Sequence, residues 1–350
     1  MRPVTDPITL DREKMPDGID RAAAAFAVGL LVLVFSLSSC ASSKREVNYN
    51  PGEYQQVLER QKAGLAPSGD EVRSDLKDLS PKELQLLGDQ YLQQGNPAMA
   101  IVQYQNAVEA DPSLFHIHYK MGEMFLKKGL PQDAILHFQE VLKHDDHHAL
   151  ALEGIGEAYF RMGKEEDADA SFRKAIMLQP DRWQTHNLLG MLLDRRKRHQ
   201  DAIAEYKQGL RVKPDEPTLL NNLGLSYYLL GLYKDATKSF QQALRTGSVP
   251  PKIHNNLGLA LAKLNRDHDA LESFRRGSSE EEAYNNLGVF YLSSGRPEQA
   301  IACFKKAIEL SPRYYDKAND NLATAMRALE QHQKTKENTS IGPKPVACPS

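Results

Sequence analysis

The most enzyme-like feature of the chain lies at residues 144–148, where three histidines surround two aspartates. Imidazole nitrogens and carboxylate oxygens are ligands for Zn²⁺ and related ions. The cluster falls between two helical patterns, so a solvated turn is the alternative and the interpretation we favour. The chain carries no nucleophile elbow, no phosphate-binding glycine loop and no H-E-x-x-H pattern. The sequence therefore predicts a non-enzymatic protein with no metal site, no cofactor and no small-molecule substrate.

A run of four basic residues, Arg195–Arg198, could contact an acidic partner or phospholipid head groups. It lies at the end of a helical pattern, where cationic side chains are favoured by the helix dipole, and this role is the simpler interpretation. Across the chain, 44 basic residues stand against 46 acidic ones, for a net charge of −2. Nucleic-acid binding depends on Lys and Arg meeting phosphate. We therefore expect no nucleic-acid partner.

The thiol of Cys40 directly follows an apolar run over residues 22–37. A helix of that length spans about 24 Å, less than the roughly 30 Å hydrocarbon core of a membrane, so an export signal fits better than a stable span. The sequence Leu37-Ser38-Ser39-Cys40 resembles the lipobox of bacterial lipoproteins. That resemblance implies a signal peptide within residues 1–40, cleavage before Cys40, and covalent lipid on this cysteine as the anchor.

Two alternatives for the N-terminus stay open. An uncleaved signal anchor would keep residues 22–37 in the membrane, and five acidic residues before Arg21 make the signal atypical. A start at Met15 rather than Met1 would shorten that acidic stretch. An export signal would also place Cys303 and Cys348 where disulfides persist, but cysteines so far apart need not pair. Cys303 precedes a core-phase aromatic residue, so we expect it to be buried.

Helices must position these residues, and the helices follow a ladder of glycines. The ladder comprises Gly88, Gly122, Gly156, Gly190, Gly224, Gly258 and Gly288. The intervals are 34 residues except the last, which is 30. Glycine inside a helix costs roughly 0.5–1 kcal/mol relative to alanine. Each position must therefore need the missing Cβ, and we expect another helix to approach closely there.

Each ladder glycine stands in the first helix of a unit of helix, tight turn, helix and turn. The first unit begins at the capping box Ser80-Pro81-Lys82-Glu83. Apolar and small residues recur at helical spacing in seven such units, which begin near residues 81, 115, 149, 183, 217, 251 and 281. The sixth unit is four residues short, so we expect it to lose the end of its second helix.

This pattern closely resembles the tetratricopeptide repeat, a 34-residue helix–turn–helix with small and aromatic residues at matching positions. The resemblance covers residues 81–314. It implies an all-α fold, a right-handed α-solenoid of seven helix pairs over residues 80–332 that includes a capping helix at 314–332. Neighbouring pairs bury apolar stripes that a lone pair leaves exposed. Composition further predicts a flexible tether at 41–79 and a disordered tail at 333–350.

In the tetratricopeptide family the first helices line a concave groove, so residues beside the ladder glycines are candidates for partner binding. An outer amide row, three residues before the glycine, comprises Asn187, Asn221, Asn255 and Asn285. An inner amide row, two residues before it, comprises Asn222, Asn256 and Asn286, and Asn321 takes the equivalent position in the capping helix, before Ala323. A basic row, five residues after it, comprises Lys127, Arg161, Arg195 and Lys263. Amides donate and accept hydrogen bonds, so they can pair with an extended peptide; framework packing and solvation are the alternatives.

These features predict a membrane-anchored adaptor that binds proteins or extended peptide segments in its groove. Ala41 follows Cys40, and the absence of Asp there resembles lipoproteins sorted to the outer membrane, facing the periplasm. Exported lipoproteins with such arrays resemble pilus-biogenesis and secretin-assembly lipoproteins, which we favour, and envelope scaffolds for peptidoglycan hydrolases or proteases. An uncleaved inner-membrane protein of a secretion system, with a periplasmic array, is the third possibility.

Overall fold

The computed structural model of the chain describes residues 79–247, 250–311, 315–336 and 347–349. These residues divide between two compact units, one ending at Leu264 and one beginning at Asn265. The described residues form fifteen α-helices and no strand, which confirms the predicted all-α class. The apolar run at 22–37, Cys40 and the tether up to residue 78 lie outside the described residues.

The first unit holds eleven helices among its described residues. They are α1 (Pro81–Gln93), α2 (Pro97–Ala110), α3 (Phe115–Lys127), α4 (Pro131–His144), α5 (Ala149–Arg161), α6 (Glu165–Leu178), α7 (Trp183–Arg195), α8 (His199–Val212), α9 (Pro217–Leu229), α10 (Tyr233–Arg245) and α11 (Lys252–Lys263). Each odd-numbered helix from α1 to α9 packs on the helix that follows it, and each even-numbered helix packs on the next first helix. First helices α3, α5, α7, α9 and α11 also contact one another in sequence.

The second unit holds four helices among its described residues. They are α12 (Asp267–Gly277), α13 (Glu280–Ser293), α14 (Pro297–Leu310) and α15 (Asp316–Lys336). Helix α13 packs on α14, and α15 packs on α14 and also contacts α13. Helix α12 has 11 residues whereas the second helices of the other repeats have 13 or 14, so the shortened sixth repeat does lose the end of its second helix.

Helix starts follow the local chemistry of the sequence. At the start of α1 the Ser80 amide donates to Glu83 Oε2 at 2.7 Å, and the Glu83 amide donates to Ser80 Oγ at 3.4 Å. The predicted capping box is therefore present, and it satisfies two amides that the helix leaves unpaired. Ser279 caps α13 by accepting from the Glu282 amide at 3.4 Å.

The ladder glycines make room for an aromatic ring of the second helix rather than for helix backbone. A Cβ at Gly122 would stand 2.6 Å from Cε1 of Phe138, and the same clash recurs at Gly88, Gly156, Gly190, Gly224 and Gly288 with the aromatic residue sixteen positions later. These rings are all fully buried. Burial of such a ring contributes roughly 1.5–3 kcal/mol, which outweighs the helical penalty of the glycine.

The turn inside each repeat places one residue in the left-handed region, at φ between 69° and 76° for five glycines. Lys197 and Asn265 occupy the same position at φ 59° and 56°. A lysine there carries a Cβ penalty that asparagine tolerates better. In the sequence this position is glycine in five repeats and is replaced by Lys197 in the fourth and Asn265 in the sixth.

The C-terminal residues differ from the sequence-based expectation. Helix α15 continues to Lys336, four residues past the predicted end of the capping helix. Cys303 is fully buried, as expected, and it forms a disulfide with Cys348, with the two Cα atoms 5.0 Å apart. The prediction of a disordered tail from residue 333 onward is therefore wrong for residues 333–336 and 347–349.

Candidate partner-binding surface

The two amide rows form hydrogen bonds with each other from repeat to repeat. In the first unit Asn222 Nδ2 donates to Asn187 Oδ1 at 2.9 Å, and Asn256 Nδ2 donates to Asn221 Oδ1 at 2.8 Å. In the second unit Asn321 Nδ2 donates to Asn285 Oδ1 at 2.9 Å. An inner-row amide of one repeat thus bonds an outer-row amide of the preceding repeat. The structure therefore supports the framework interpretation for much of these rows.

Burial separates the amides that a partner can reach from those that it cannot. Asn221, Asn256 and Asn285 are buried, with exposed fractions of 5%, 9% and 3%. Those still half-buried, and so accessible at one edge, are Asn187, Asn222, Asn255, Asn286 and Asn321. A hydrogen-bonded amide keeps free donor and acceptor capacity, because each side chain offers two N–H groups and two oxygen lone pairs.

The basic row contains two arginines that bond the protein itself and two lysines. Arg195 NH1 donates to the carbonyl oxygen of Phe160 at 3.0 Å, and its guanidinium lies 4.0 Å from the centre of the Phe160 ring. Arg161 NH1 donates to the carbonyl of Leu126 in the equivalent way, one repeat earlier. Both arginines therefore bond the last turn of the preceding first helix, where carbonyls lack intrahelical partners and cations are favoured.

The remaining members of the basic row, Lys127 and Lys263, are exposed and half-buried respectively. The three arginines of the run at residues 195–198 are paired with carboxylates. Arg195 Nε lies 2.7 Å from Glu165 Oε1, and Arg196 Nε lies 3.1 Å from Glu165 Oε2. Arg198 Nε lies 2.7 Å from Asp201 Oδ2. These contacts favour a structural role for the run over contact with an acidic partner or phospholipid head groups. Its arginines pair with acidic residues at the starts of α6 and α8.

An aliphatic row beside the amides was missed by the sequence reasoning. One residue after the ladder glycine, it comprises Met191, Leu225 and Leu259 in the first unit and Val289 in the second. All four are half-buried. The first three repeats carry acidic residues at this position, namely Asp89, Glu123 and Glu157. Reading the residue after each ladder glycine would have shown this change from acidic to aliphatic side chains. Apolar residues repeated on a solvent-facing helix surface indicate a binding site.

The amide and aliphatic rows adjoin each other. Asn187 Nδ2 lies 3.5 Å from Met191 Sδ, one helical turn along α7. In the acidic part, Lys120 Nζ pairs with Asp89 Oδ1 at 2.7 Å. Burial opposes the charged form of Asp89, but hydrogen bonds from Lys120 and Tyr104 outweigh it and lower the pKa of this carboxyl. In the first unit the surface thus offers acidic side chains in the first three repeats, and amides with aliphatic side chains in the next three.

The histidine–aspartate cluster forms the turn between α4 and α5. His148 Nδ1 accepts a hydrogen bond from the Ala151 amide at 3.1 Å and so caps α5, while the His144 ring stacks on Phe115 at 5.4 Å. Ligand atoms of Asp145, Asp146 and His147 lie within 4.8 Å of one another, and all three residues are exposed. These contacts give His144 and His148 structural roles in the turn, as a stacking partner of Phe115 and as the cap of α5. The expectation that the chain binds no metal stays a prediction.

Comparison with known families agrees with this architecture. The family model described as the cilia and flagella-associated protein 70 C-terminal domain, a tetratricopeptide repeat (TPR) domain, matches residues 36–285. The general tetratricopeptide repeat model matches residues 281–314. The chain belongs to this TPR family. TPR arrays are generally non-catalytic scaffolds that bind proteins or peptides, and this chain shares their helix-pair packing.

Solved structures of other TPR proteins resemble the chain in part. A tetratricopeptide repeat protein from Parabacteroides merdae is 15% identical, with a TM-score of 0.52 over 70% of this chain and 98% of that chain. MamA is 29% identical, with a TM-score of 0.42 over 45% of this chain and 93% of that chain. Pseudomonas aeruginosa pilF is 24% identical, with a TM-score of 0.49 over 55% of this chain and 88% of that chain. No curated protein matches this TPR chain.

Among the described residues of this TPR protein, no helix is both long enough and apolar enough to cross a membrane. The predicted lipid site, Cys40, lies outside those residues.

Proposed function

We propose that the chain is a membrane-anchored, non-catalytic adaptor of the bacterial cell envelope. Lipid on Cys40 attaches it to the outer membrane facing the periplasm, and extended segments of partner proteins bind along the first helices. The observation that carries the proposal is that the half-buried amides, such as Asn187, adjoin an aliphatic row on the first helices of a TPR array. Amides satisfy the backbone of an extended segment, and the aliphatic row receives its apolar side chains.

The disulfide supports the exported location. Disulfides persist in the periplasm and other oxidising compartments and are rare in the cytosol. Cys303 and Cys348 are bonded, and they lie far from the export signal in sequence. Two independent features thus agree on export, and within the envelope we propose a role in assembling or stabilising a pilus or secretin complex.

Lipid attachment is tested by labelling cells with an alkyne-bearing palmitate analogue and fractionating their envelopes. We expect the label on the wild-type chain in the outer-membrane fraction and its loss in Cys40→Ala. Globomycin, which blocks lipoprotein signal cleavage, should cause the precursor to accumulate. An unlabelled protein that fractionates with the inner membrane and ignores globomycin would establish an uncleaved anchor instead.

Partner binding is tested by placing a photocrosslinking amino acid at Met191 or Leu225 in the aliphatic row. The matched control is Met177, which is 82% exposed on second helix α6. We expect protein adducts from the two row positions and none from the control. Secretin or pilus subunits among the adducts support the proposed role, whereas peptidoglycan hydrolases or proteases would replace it with the scaffold alternative. Equal adducts from Met177 would contradict binding at this surface.

The amides need a variant that does not itself unfold the chain. Asn221→Ala would orphan the buried Asn256 amide at a cost of about 1–3 kcal/mol, so it is a poor test. Asn222→Ala has the same fault, because the buried Asn221 amide donates to Asn222 Oδ1 at 3.3 Å. Asn187→Ala removes only the acceptor of Asn222 Nδ2, and Asn222 is half-buried, so water can satisfy the freed donor. We expect Asn187→Ala to stay folded and lose about 1.4 kcal/mol of partner affinity, roughly tenfold, in titrations with a crosslinked partner segment. Unchanged affinity would show that the Asn187 amide serves packing alone.

A further inference from the structure

Two histidines of the second repeat face each other outside the partner-binding surface. His118 on α3 and His137 on α4 place their Nδ1 atoms 3.0 Å apart, and their ring centres lie 5.3 Å apart. The His137 ring also stacks on Phe125, with centres 5.1 Å apart and planes 6° apart. The helices that carry them are fixed by the buried Phe138 ring packed against Gly122. The two nitrogens are therefore held together by the fold and do not depend on chance side-chain positions.

At least one of the two facing nitrogens carries a lone pair rather than a hydrogen, because two N–H groups could not approach each other to 3.0 Å as a hydrogen bond. A neutral imidazole carries one N–H and one free lone pair. Two facing nitrogens on neutral rings can share one hydrogen bond, or they can both direct lone pairs to one cation.

The equivalent pair two repeats later shows the contrast. His186 occupies the position of His118, and Glu205 that of His137. His186 Nδ1 lies 2.8 Å from Glu205 Oε2, and its Nε2 lies 3.0 Å from the Pro180 carbonyl oxygen. With an acceptor at each nitrogen, that ring serves as a double donor. In the second repeat His137 stands where the fourth repeat has Glu205. Two imidazoles therefore face each other in place of a histidine–glutamate pair.

Glu140, one turn further along α4, can supply a third ligand only by rotating its side chain, because among the described residues three such ligand groups lie within 4.8 Å of one another only at Asp145, Asp146 and His147. Glu140 follows His137 by three residues, which places both side chains on the same helix face. Glu140 Oε1 pairs with Lys143 Nζ at 2.5 Å, and both of these side chains are exposed to solvent. An exposed ion pair of this kind is worth little, so the carboxylate can exchange Lys143 for a cation at small cost.

We propose that His118, His137 and Glu140 bind one transition-metal ion of the Zn²⁺ class, with water in the remaining position. Zn–N distances of 2.0–2.1 Å place two tetrahedral nitrogen ligands roughly 3.3 Å apart, so the rings need to separate by only a few tenths of an ångström. Two imidazoles and a carboxylate are a ligand set that Zn²⁺, Co²⁺ and Ni²⁺ accept. The ion would join the two helices of the second repeat.

The experiment uses the full chain with Cys40→Ser, without a histidine tag and with the Cys303–Cys348 disulfide intact. Zn²⁺ is titrated calorimetrically, and Co²⁺ is titrated by its visible absorption, which reports coordination geometry. We expect one ion per chain with a tetrahedral Co²⁺ spectrum. His118→Gln and His137→Gln should each weaken Zn²⁺ by more than the roughly tenfold loss typical of outer-shell partners, and Glu140→Gln should weaken it by about that amount.

The matched controls are His116→Gln, an exposed histidine on the same helix, and His147→Gln in the turn cluster. Both should bind Zn²⁺ as the wild type does. Circular dichroism without metal checks that each variant is folded, and a folded His137→Gln that binds normally would overturn the proposal. Loss of the ion in His147→Gln alone would assign the metal to the turn between α4 and α5, and absence of any Zn²⁺ binding would leave the pair as a hydrogen bond only.

Discussion

Reduction of the Cys303–Cys348 disulfide is expected to lower the free energy of unfolding of the C-terminal unit by roughly 4 kcal/mol. The bond closes a segment of 45 residues, and the chain-entropy relation gives about this value for a loop of that length. The closed segment contains α15, and the described residues that follow it, 347–349, form no further helix. The loss should therefore be concentrated in residues 265–349.

The measurement is hydrogen exchange of α15 amides, with urea unfolding of the chain carrying Cys40→Ser as a second readout. Dithiothreitol should raise α15 exchange rates and leave those of α3 to α8 unchanged. Cys303→Ala with Cys348→Ala should reproduce this effect and should not respond further to dithiothreitol. Alanine is preferred to serine because Cys303 is fully buried, where an unpaired hydroxyl adds its own cost. Equal exchange in reduced and oxidised chains would contradict the prediction.

Truncation of the Phe138 ring should destabilise the N-terminal unit by about 3–5 kcal/mol, the range for a fully buried phenylalanine changed to alanine. The ring has no exposed surface and packs against the Cα atoms of Gly122 and Gly154, on the first helices of the second and third repeats. It also lies 5.7 Å from the Tyr119 ring. One side chain therefore joins α3, α4 and α5.

A double-mutant cycle tests the reason for the glycine ladder. Gly122→Ala alone should destabilise by roughly 1–3 kcal/mol, because its Cβ would stand 2.6 Å from the Phe138 ring. In the Phe138→Ala background the clash is gone, so the same change should stabilise by about 0.5–1 kcal/mol through the higher helix propensity of alanine. Urea denaturation of the four proteins measures this reversal of sign. A Gly122→Ala effect of one sign in both backgrounds would show that the ring is not what excludes the Cβ.

Much of the fold could be predicted from the sequence because the same capping, turn and packing residues recur in every repeat. Helix starts follow the Ser80–Glu83 box, turns follow the glycines at φ near 70°, and the shortened sixth repeat is visible as a missing turn of sequence. The site was predicted only in part. The glycine ladder identified the amide rows and the basic row. The hydrogen bonds between amides of successive repeats, however, depend on the axial offset between successive first helices. That offset brings residues 35 apart, such as Asn187 and Asn222, into contact.

The sequence by itself determined the period, the all-α class and the aromatic core, since these depend on interactions within about 34 residues. Tertiary structure alone decided three other matters. Arg161 and Arg195 bond helix ends, Cys303 bonds Cys348, and His118 meets His137 across a helix pair. The physical reason is the same in each case. A side chain's type and spacing specify what it can bond, but the packing angle and axial offset of two helices decide which partner it reaches.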